Sequence, residues 1–305
     1  MEPILENWPP GHFYSVIPNI SKNSKELSKS STTIITPFIG LDFHDDRHLS
    51  IFEDLPHYLR FFDQIFGVTP FENNEDLYQQ IGERWERFHY SLMNESFEGM
   101  DARLLFYFLQ KNKPKRIIEI GCGNSTLLLL NTKKMFGLEV EITCIEPFPN
   151  PFIKKMHAEG HIHLMENNLQ DIELTLFSKL EENDILFIDS SHVGKYKSDV
   201  LFYFLEIFPL LRKNVLIHIH DIFFPYDYPQ SWLKEGRFWN EQYFLFTFLQ
   251  YNTKFSIVFG NKYCEYKFPD QLKELQRHSY EIQHGFIKKD DVFSGGSLWL
   301  IVETD

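Results

Sequence analysis

The spacing of apolar residues along this chain changes character near residue 115. Before that point, apolar positions recur at helical spacing from Leu41 to about Phe66 and again between residues 75 and 110. In the second stretch Asp101 is an acceptable N-cap residue, which predicts a helix that starts near it. Residues 1–33 are polar and turn-rich and indicate a flexible loop or linker.

After residue 115, short apolar strands alternate with helical segments. Five strands with helical crossovers predict an α/β fold with a parallel sheet covered on both faces. No helix of comparable length directly precedes the final strand, which suits an antiparallel ending. The chain then divides into an N-terminal helical and loop extension, residues 1–95, and an α/β domain, residues 96–305. The predicted strands are 116–120, 140–146, 161–165, 184–189, 214–220, 255–260 and 297–303, and the clearest helices are 124–136, 196–211 and 239–252.

Composition narrows the class of protein. The 305 residues carry a formal net charge of −13, which disfavours a nucleic-acid backbone or an anionic membrane as the main partner. Three cysteines, Cys122, Cys144 and Cys264, form no C-x-x-C pair, which fits a reducing compartment without a zinc cluster. The sequence has neither a secretory signal pattern nor an apolar run of the roughly 20 residues that span a bilayer. We therefore expect a soluble cytoplasmic protein.

The stretch "RIIEIGCGNST" joins a buried strand to a helix through Gly121 and Gly123. Glycines at this position let a ligand approach the backbone, and Ser125 and Thr126 suit a helix N-terminus. The dinucleotide fingerprint G-x-G-x-x-G is incomplete, because Thr126 occupies the position of the third glycine. An ordinary tight turn between strand and helix is the alternative interpretation.

Glu146 ends the next strand in "CIEPFPNP", 25 residues after Gly121. A carboxylate at the tip of the second strand can accept both hydroxyls of a ribose, which fits NAD and S-adenosylmethionine (SAM) equally. An exposed loop acid without a ligand is the alternative.

Polar residues end two later strands. Asp189 and His192 follow one strand in "DILFIDSSH", and His218, His220 and Asp221 lie in "VLIHIHD". If these strands are neighbours, about 4.8 Å apart, Asp189 and Asp221 converge within reach of one cation. The alternative interpretations are that His192 is an ordinary loop histidine and that Asp221 caps the loop that follows it. His218 lies deeper in its strand and is interpreted as a hydrogen-bonded core histidine.

An aromatic, proline-containing loop follows the second of these strands. Its sequence, "FPYDYPQSWLKEGRFWNEQYFL", is typical of a substrate lid, although structural packing also explains many of its aromatic residues. The candidate substrate-loop residues are Tyr226, Tyr228, Trp232, Arg237 and Asn240.

"RIIEIGCGNST", Glu146 in "CIEPFP" and "DILFIDSSH" together resemble class I SAM-dependent methyltransferases, with the family-24-type group as the best match. The blocks "GHFYSVIPN", "SFEGMDA", "IHIHDIFFPYDYPQSW" and "EGRFWNEQY" extend the resemblance from about Gly11 to the C-terminus. The resemblance implies a Rossmann-like sheet of seven strands in the order 3-2-1-4-5-7-6, with the seventh antiparallel. It also implies that SAM is bound by Glu119, Gly121, Gly123, Asn124, Ser125, Glu146 (ribose), Gln170 and Asp171 (adenine) and Asp189.

The chain is also distantly similar to metal-dependent sugar O-methyltransferases. In that group an Asp-x-x-His after strand four supplies a cation ligand and a general base, matched here by Asp189 and His192. An acid pair after strand five completes the cation site, and His220 and Asp221 stand at that place, with His220 as a departure. The implied metal ligands are Asp189, His220 and Asp221 for Mg²⁺ or Mn²⁺, or the site holds no metal.

The function predicted on this basis is SAM-dependent O-methylation of a sugar or other small-molecule hydroxyl. His192, as a neutral imidazole, would remove the proton, with Asp189, His220 and Asp221 around it. The alternatives are an NAD-dependent oxidoreductase or epimerase, which lacks support from a Tyr-x-x-x-Lys pair, and a non-catalytic SAM-binding or partner-binding module. We expect a small-molecule or glycan substrate, no nucleic acid and no membrane, while the N-terminal region leaves a homo-oligomer open.

Overall fold

A computed structural model describes residues 10–12, 15–17, 38–66, 88–92, 94–278 and 293–305. Most of the polar N-terminal segment and the helical pattern predicted between residues 75 and 87 lie outside the described residues. Within the described part of the chain, no helix is long and apolar enough to cross a membrane.

Seven strands of the described residues form one sheet in the order β3-β2-β1-β4-β5-β7-β6. Strands β1 to β5 pair in parallel, whereas β7 runs antiparallel to both β5 and β6. The predicted α/β class, strand order and antiparallel ending are confirmed. The strands are β1 (Arg116–Ile120), β2 (Glu141–Ile145), β3 (His163–Met165), β4 (Ile185–Ile188), β5 (Leu216–Ile219), β6 (Phe255–Gly260) and β7 (Leu298–Val302).

Helices pack on the sheet, and its central strands β4 and β5 are fully buried. Every residue of β4 and β5 is buried, as continuous apolar runs predict for central parallel strands. The helices are α1 (Asp45–Phe66), α2 (Gly99–Asn112), α3 (Asn124–Met135), α4 (Pro151–Ala158), α5 (Asp199–Phe202), α6 (Gln230–Lys234), α7 (Glu241–Leu249), α8 (Asn261–Lys267) and α9 (Pro269–His278).

Two helix predictions differ from the structure. The single helix predicted over 196–211 is α5 followed by a π-helical turn, Tyr203–Ile207, and a 3-10 turn, Phe208–Leu210. Pro209 has no N–H, so a regular α-helical ladder cannot continue through it.

The N-cap prediction for Asp101 is wrong. Helix α2 begins at Gly99, and Asp101 lies inside its first turn as a buried carboxylate. This carboxylate accepts hydrogen bonds from the Gly296 backbone N–H at 3.0 Å and from the Ser297 hydroxyl. Its partners come from a segment almost 200 residues away, so local spacing alone could not reveal its role.

Helix α1 packs into the same core as the sheet. Leu55, Leu59, Phe62 and Phe66 repeat at helical spacing and are buried on one face of the helix. Beside them, Asp63 of α1 and Arg103 of α2 form a fully buried ion pair with an N–O distance of 2.8 Å. The boundary placed at residue 95 stays a prediction.

Asp63→Asn should lower the free energy of unfolding by about 3 kcal/mol, because it removes the Asp63 charge from its buried ion pair with the Arg103 guanidinium. Asp54→Asn is the control, since the Asp54–Lys111 pair is partly exposed and should contribute no more than about 1 kcal/mol. Urea unfolding of both variants measures the difference. Equal losses in the two variants would contradict the assigned role of the buried pair.

Candidate active site

The turn after β1 brings three strands together at their carboxyl ends. The Gly121 N–H donates to the Ile145 carbonyl at 3.0 Å, and the Asp189 N–H donates to the Ile120 carbonyl at 2.9 Å. Gly121 has φ +80°, and a Cβ there would lie 1.8 Å from the Asp189 carbonyl oxygen. This position therefore requires glycine, because any side chain would separate β1 from the loop that carries Asp189.

Glu119 lies beneath this turn. Its side chain is fully buried, and one carboxylate oxygen accepts a hydrogen bond from the Thr126 hydroxyl at 2.6 Å. The same hydroxyl accepts from the Gly123 N–H at 3.1 Å, so Glu119 holds the start of α3 through Thr126. Burial raises the pKa of Glu119 to about 7. Its position supports the turn, and it is not among the residues that line the neighbouring cleft.

A cleft of about 490 Å³ opens above the turn, at the carboxyl ends of β1, β2 and β4. Parallel α/β sheets bind ligands at this edge. The predicted cofactor residues that line the cleft are Gly121, Glu146, Gln170 and Asp189. The sequence analysis missed further lining residues, which share no motif: Phe148, Asn168, Ser191, Lys195, Lys197, Ser198 and Asp199.

Two polar contacts shape this cleft. Glu146 accepts a hydrogen bond from the Phe148 N–H at 2.8 Å, which fixes the carboxylate at the tip of β2. The Gln170 side-chain amide donates to the Lys197 carbonyl at 2.8 Å and joins the loops after β3 and β4. Asp171 lines an adjoining cleft on the far side of this contact.

Three predicted cofactor residues lie at the edge of the cleft or outside it. Gly123 has open space where a Cβ would be, which leaves its backbone accessible. Asn124 donates to the Ser96 hydroxyl at 2.7 Å, and Ser125 is buried. None of the three is among the lining residues, so the turn offers its backbone to a ligand rather than these side chains.

The pairing of β4 with β5 brings the predicted acids together. The His192 Nε2 atom lies 3.2 Å from an Asp189 oxygen and 3.6 Å from an Asp221 oxygen. Single ligand atoms of Asp189, His192 and Asp221 all lie within 4.8 Å of one another. His220 stands outside this group, with Nε2 3.9 Å from an Asp221 oxygen. The geometry therefore groups His192, and not the predicted His220, with the two aspartates.

Both His192 and Asp221 adopt backbone conformations that side chains rarely take. Their φ angles are +59° and +57°, in the left-handed region that favours glycine. Such strain persists only where surrounding contacts impose it, and it concentrates at functional sites. At these two positions it turns the side chains toward the same point above the sheet.

Glu241 is a site residue that the sequence analysis did not select. It begins α7, is fully buried, and places a carboxylate oxygen 2.7 Å from the His192 Nδ1 atom. Its second oxygen accepts a hydrogen bond from the Tyr203 hydroxyl. Glu241 lies 49 residues from His192, so no local pattern links the two residues.

Burial and neighbouring charges shift the pKa values of the site residues in different directions. Burial by itself would lower the pKa of His192, but Glu241 and Asp189 outweigh it and hold that pKa well above its ordinary value. At Asp189 burial by itself would raise the pKa, but His220 and His192 lower it to about 2. At Asp221 burial prevails and the pKa is raised. The direction of the His192 shift runs against the neutral imidazole expected of a base.

The two histidines of β5 differ in surroundings. His218 is fully buried, its ring stacks on Phe187 at 4.0 Å between centroids, and burial holds its pKa well below the usual value. It is a core residue, as predicted. His220 lies 3.5 Å from the Ser297 hydroxyl through Nδ1. Burial would lower its pKa, but Asp189, Asp221 and Asp101 raise it.

The predicted substrate-loop residues make packing contacts, and none of them lines the cleft beside Asp189. Tyr228 is buried, and its hydroxyl accepts from the Gln242 N–H at 3.1 Å, so it supports the loop from inside. Tyr226 is half-buried with its ring 6.4 Å from that of Tyr266. The Arg237 guanidinium lies 5.2 Å from the ring centroid of Trp232.

Asn240 does not face a substrate space. Its side-chain oxygen accepts from the Gly194 N–H at 2.6 Å, and its amide donates to the Gly194 carbonyl at 3.3 Å. Trp239, which the sequence analysis missed, packs on the His192 ring with 4.2 Å between centroids.

Glu119→Gln should remove a pH dependence of stability. The pKa of Glu119 is raised from 4.5 to about 7 by burial, so folding favours its protonated form. The wild-type protein should lose about 3 kcal/mol from this group as pH rises from about 4.5 through 7, and the Gln variant should not. Denaturant unfolding at pH 5 and pH 8 measures this. Glu141→Gln, at the exposed start of β2, should follow the wild type; matching slopes for all three proteins would refute the burial effect.

Comparison with known proteins agrees with the fold. A family model, Methyltransf_24, described as a methyltransferase domain, matches residues 118–222. An uncharacterized protein of Archaeoglobus fulgidus is 32% identical over 185 residues, which cover 58% of this chain and 76% of that protein.

Two solved structures are similar at low identity. The SAH-bound Podospora anserina methyltransferase PaMTH1 is 20% identical with a TM-score of 0.36, over 51% of this chain and 71% of its own. The plantazolicin methyltransferase BpumL, in complex with a pentazolic desmethylPZN analog and SAH, is 12% identical with a TM-score of 0.40, over 84% of this chain and 99% of its own. Because the matched domain is a methyltransferase domain, the alternative of an NAD-dependent oxidoreductase is wrong. This chain belongs to the Methyltransf_24 family of class I SAM-dependent methyltransferases.

Proposed function

We propose that this enzyme transfers the methyl group of SAM to a hydroxyl of a sugar or another small molecule, with His192 as the general base. One observation carries the proposal. Asp189 lines the cofactor cleft, and its carboxylate lies 3.2 Å from the His192 Nε2 atom. The cleft proposed for the methyl donor therefore lies next to a proton acceptor, with Asp189 in contact with both. Methyl transfer to a hydroxyl requires this arrangement.

The cleft fits SAM in size and polarity. Its volume of about 490 Å³ suits a nucleoside-sized ligand. We assign the ribose hydroxyls to Glu146, the adenine to the side where Gln170 and Asn168 lie, and the sulfonium end to Gly121 and Asp189. When bound, SAM supplies an electrophilic methyl group, so the protein has only to orient the acceptor and remove its proton.

His192 is built to take that proton through Nε2. Its Nδ1 atom is occupied by Glu241, and Nε2 lies 3.2 Å from an Asp189 oxygen and 3.6 Å from an Asp221 oxygen. Burial would lower the pKa of His192, but Glu241 and Asp189 hold it well above its ordinary value. A cation bound to Asp189 would offset one of these two negative charges and favour the neutral imidazole that a base requires.

The residues present fit a divalent cation. Six-coordinate Mg²⁺ places its ligands about 2.1 Å away, and hence about 3 to 4 Å from one another, while the candidate ligand atoms here lie within 4.8 Å. We assign the cation to Asp189 and Asp221 and the proton transfer to His192, because a nitrogen bound to a cation cannot accept a proton. A cation held there would lower the pKa of an acceptor hydroxyl.

His192→Ala should reduce methyl transfer by roughly 10²- to 10⁴-fold, because the acceptor hydroxyl loses its proton acceptor. Affinity for S-adenosylhomocysteine should stay unchanged, since His192 does not line the cofactor cleft. Transfer from tritiated SAM to a panel of glycans and small hydroxyl compounds, with calorimetric titration of S-adenosylhomocysteine, measures both. His163→Ala, an exposed histidine of β3, is the control. Full activity of the His192 variant would refute its role as base.

EDTA should abolish transfer, and Mg²⁺ or Mn²⁺ should restore it. Asp221→Asn should raise the cation concentration needed for half-maximal activity, because one of the two carboxylate ligands is lost. The same tritium assay, run over a series of cation concentrations, measures this. Activity that persists in EDTA would exclude the cation and leave the assignment of His192 to be judged by its own variant.

A further inference from the structure

We propose that Trp239, Asn240 and Glu241, at the start of α7, are positioning residues that hold the His192 imidazole with Nδ1 turned inward and Nε2 turned to the substrate. The inference rests on the proposed function, in which His192 is the base. Within it, Glu241 determines which ring nitrogen is available for proton transfer.

The backbone makes the first connection. The N–H groups of Asn240 and Glu241 both donate to the His192 carbonyl oxygen, at 3.1 and 3.2 Å. The first N–H groups of a helix have no partner within the helix and need an outside acceptor. Here the acceptor is the backbone of His192 itself, so the first turn of α7 is attached to the residue that it orients.

The Glu241 carboxylate makes the second connection. One oxygen lies 2.7 Å from His192 Nδ1, and the other accepts from the Tyr203 hydroxyl. Glu241 and Tyr203 are both fully buried, so no water competes for either oxygen. With both oxygens occupied, the carboxylate cannot rotate away from the imidazole. A hydrogen bond at one ring nitrogen sets the tautomer, and this one keeps the proton on Nδ1 and leaves Nε2 as the acceptor.

Trp239 and Asn240 restrain the loop that carries the imidazole. The Asn240 side chain forms two hydrogen bonds with the backbone of Gly194, two residues after His192, at 2.6 and 3.3 Å. The Trp239 ring covers the imidazole at 4.2 Å between centroids. Together they hold His192 in its left-handed backbone conformation, with φ +59°.

A role limited to stability explains this arrangement poorly. A buried carboxylate is costly to desolvate, and an apolar residue of the same volume is often at least as stabilising. The cost is understandable if the carboxylate acts on the neighbouring imidazole, as an orienting acid does for a general base.

The test compares the His192 ring in four proteins labelled with ¹⁵N-histidine: wild type, Glu241→Gln, Tyr203→Phe and Tyr243→Phe. Tyr243→Phe is the matched control, because its hydroxyl bonds Asp227 and not Glu241. Spectra are recorded on the full chain with S-adenosylhomocysteine and EDTA, and the His192 signals are assigned by their loss in His192→Ala. This readout needs no knowledge of the acceptor.

The wild type should show a downfield, slowly exchanging Nδ1 proton on His192. Glu241→Gln should lose it, Tyr203→Phe should broaden it or shift it, and Tyr243→Phe should leave it unchanged. Unchanged His192 signals in Glu241→Gln would overturn the inference.

Kinetics separate this inference from the proposed function. On any acceptor that the wild type methylates, Glu241→Gln should lower kcat roughly 10²- to 10⁴-fold, by analogy with loss of the orienting acid in a catalytic triad. The KM for SAM should stay within about threefold, because the interaction acts only on the chemical step. Full activity of His192→Ala would overturn the proposed function itself. If His192→Ala is inactive, two results would overturn the inference alone: full activity of Glu241→Gln, or a loss of kcat in Glu241→Gln that follows a fall in its Tm.

Discussion

The parallel pairing of β4 with β5 is the constraint on which the site depends. Phe187 pairs with His218 and Ile188 with Ile219, and the His220 N–H then donates to the Ile188 carbonyl at 2.9 Å. This register leaves Asp189 and Asp221 at the same edge of the sheet. Two carboxylates so close would repel unless positive charge intervened. The two strands that carry them are short but fully buried, and their pairing holds the acids there.

Electrostatics give the site its chemical character. The pKa of Asp189 is lowered to about 2, whereas the pKa of Asp221 is raised, so neighbouring acids at one edge have unlike proton affinities. The same acids raise the pKa values of His192 and His220, so the acids and histidines at this edge offset one another in charge.

Three distant parts of the chain converge on His192. The loop after β4 supplies the residue, α7 supplies Glu241, and the segment after α5 supplies Tyr203. Gly121 lets β1 approach the same loop, since a Cβ there would meet the Asp189 carbonyl at 1.8 Å. The cleft beside Asp189 and the His192 side chain share this loop, so their relative positions are determined together.

Apolar runs in the sequence predicted the strands, and the family resemblance predicted their order. Local patterns at the ends of strands and turns also marked Gly121, Glu146, Asp189, His192 and Asp221 as candidates. Which of these side chains meet depends on tertiary contacts. Glu241 and Tyr203 lie 38 residues apart and meet through a hydrogen bond, so no periodicity marks them. The exclusion of His220 from the acid group, and the raised pKa of His192, likewise depend on distances between strands and on burial, which local sequence does not encode.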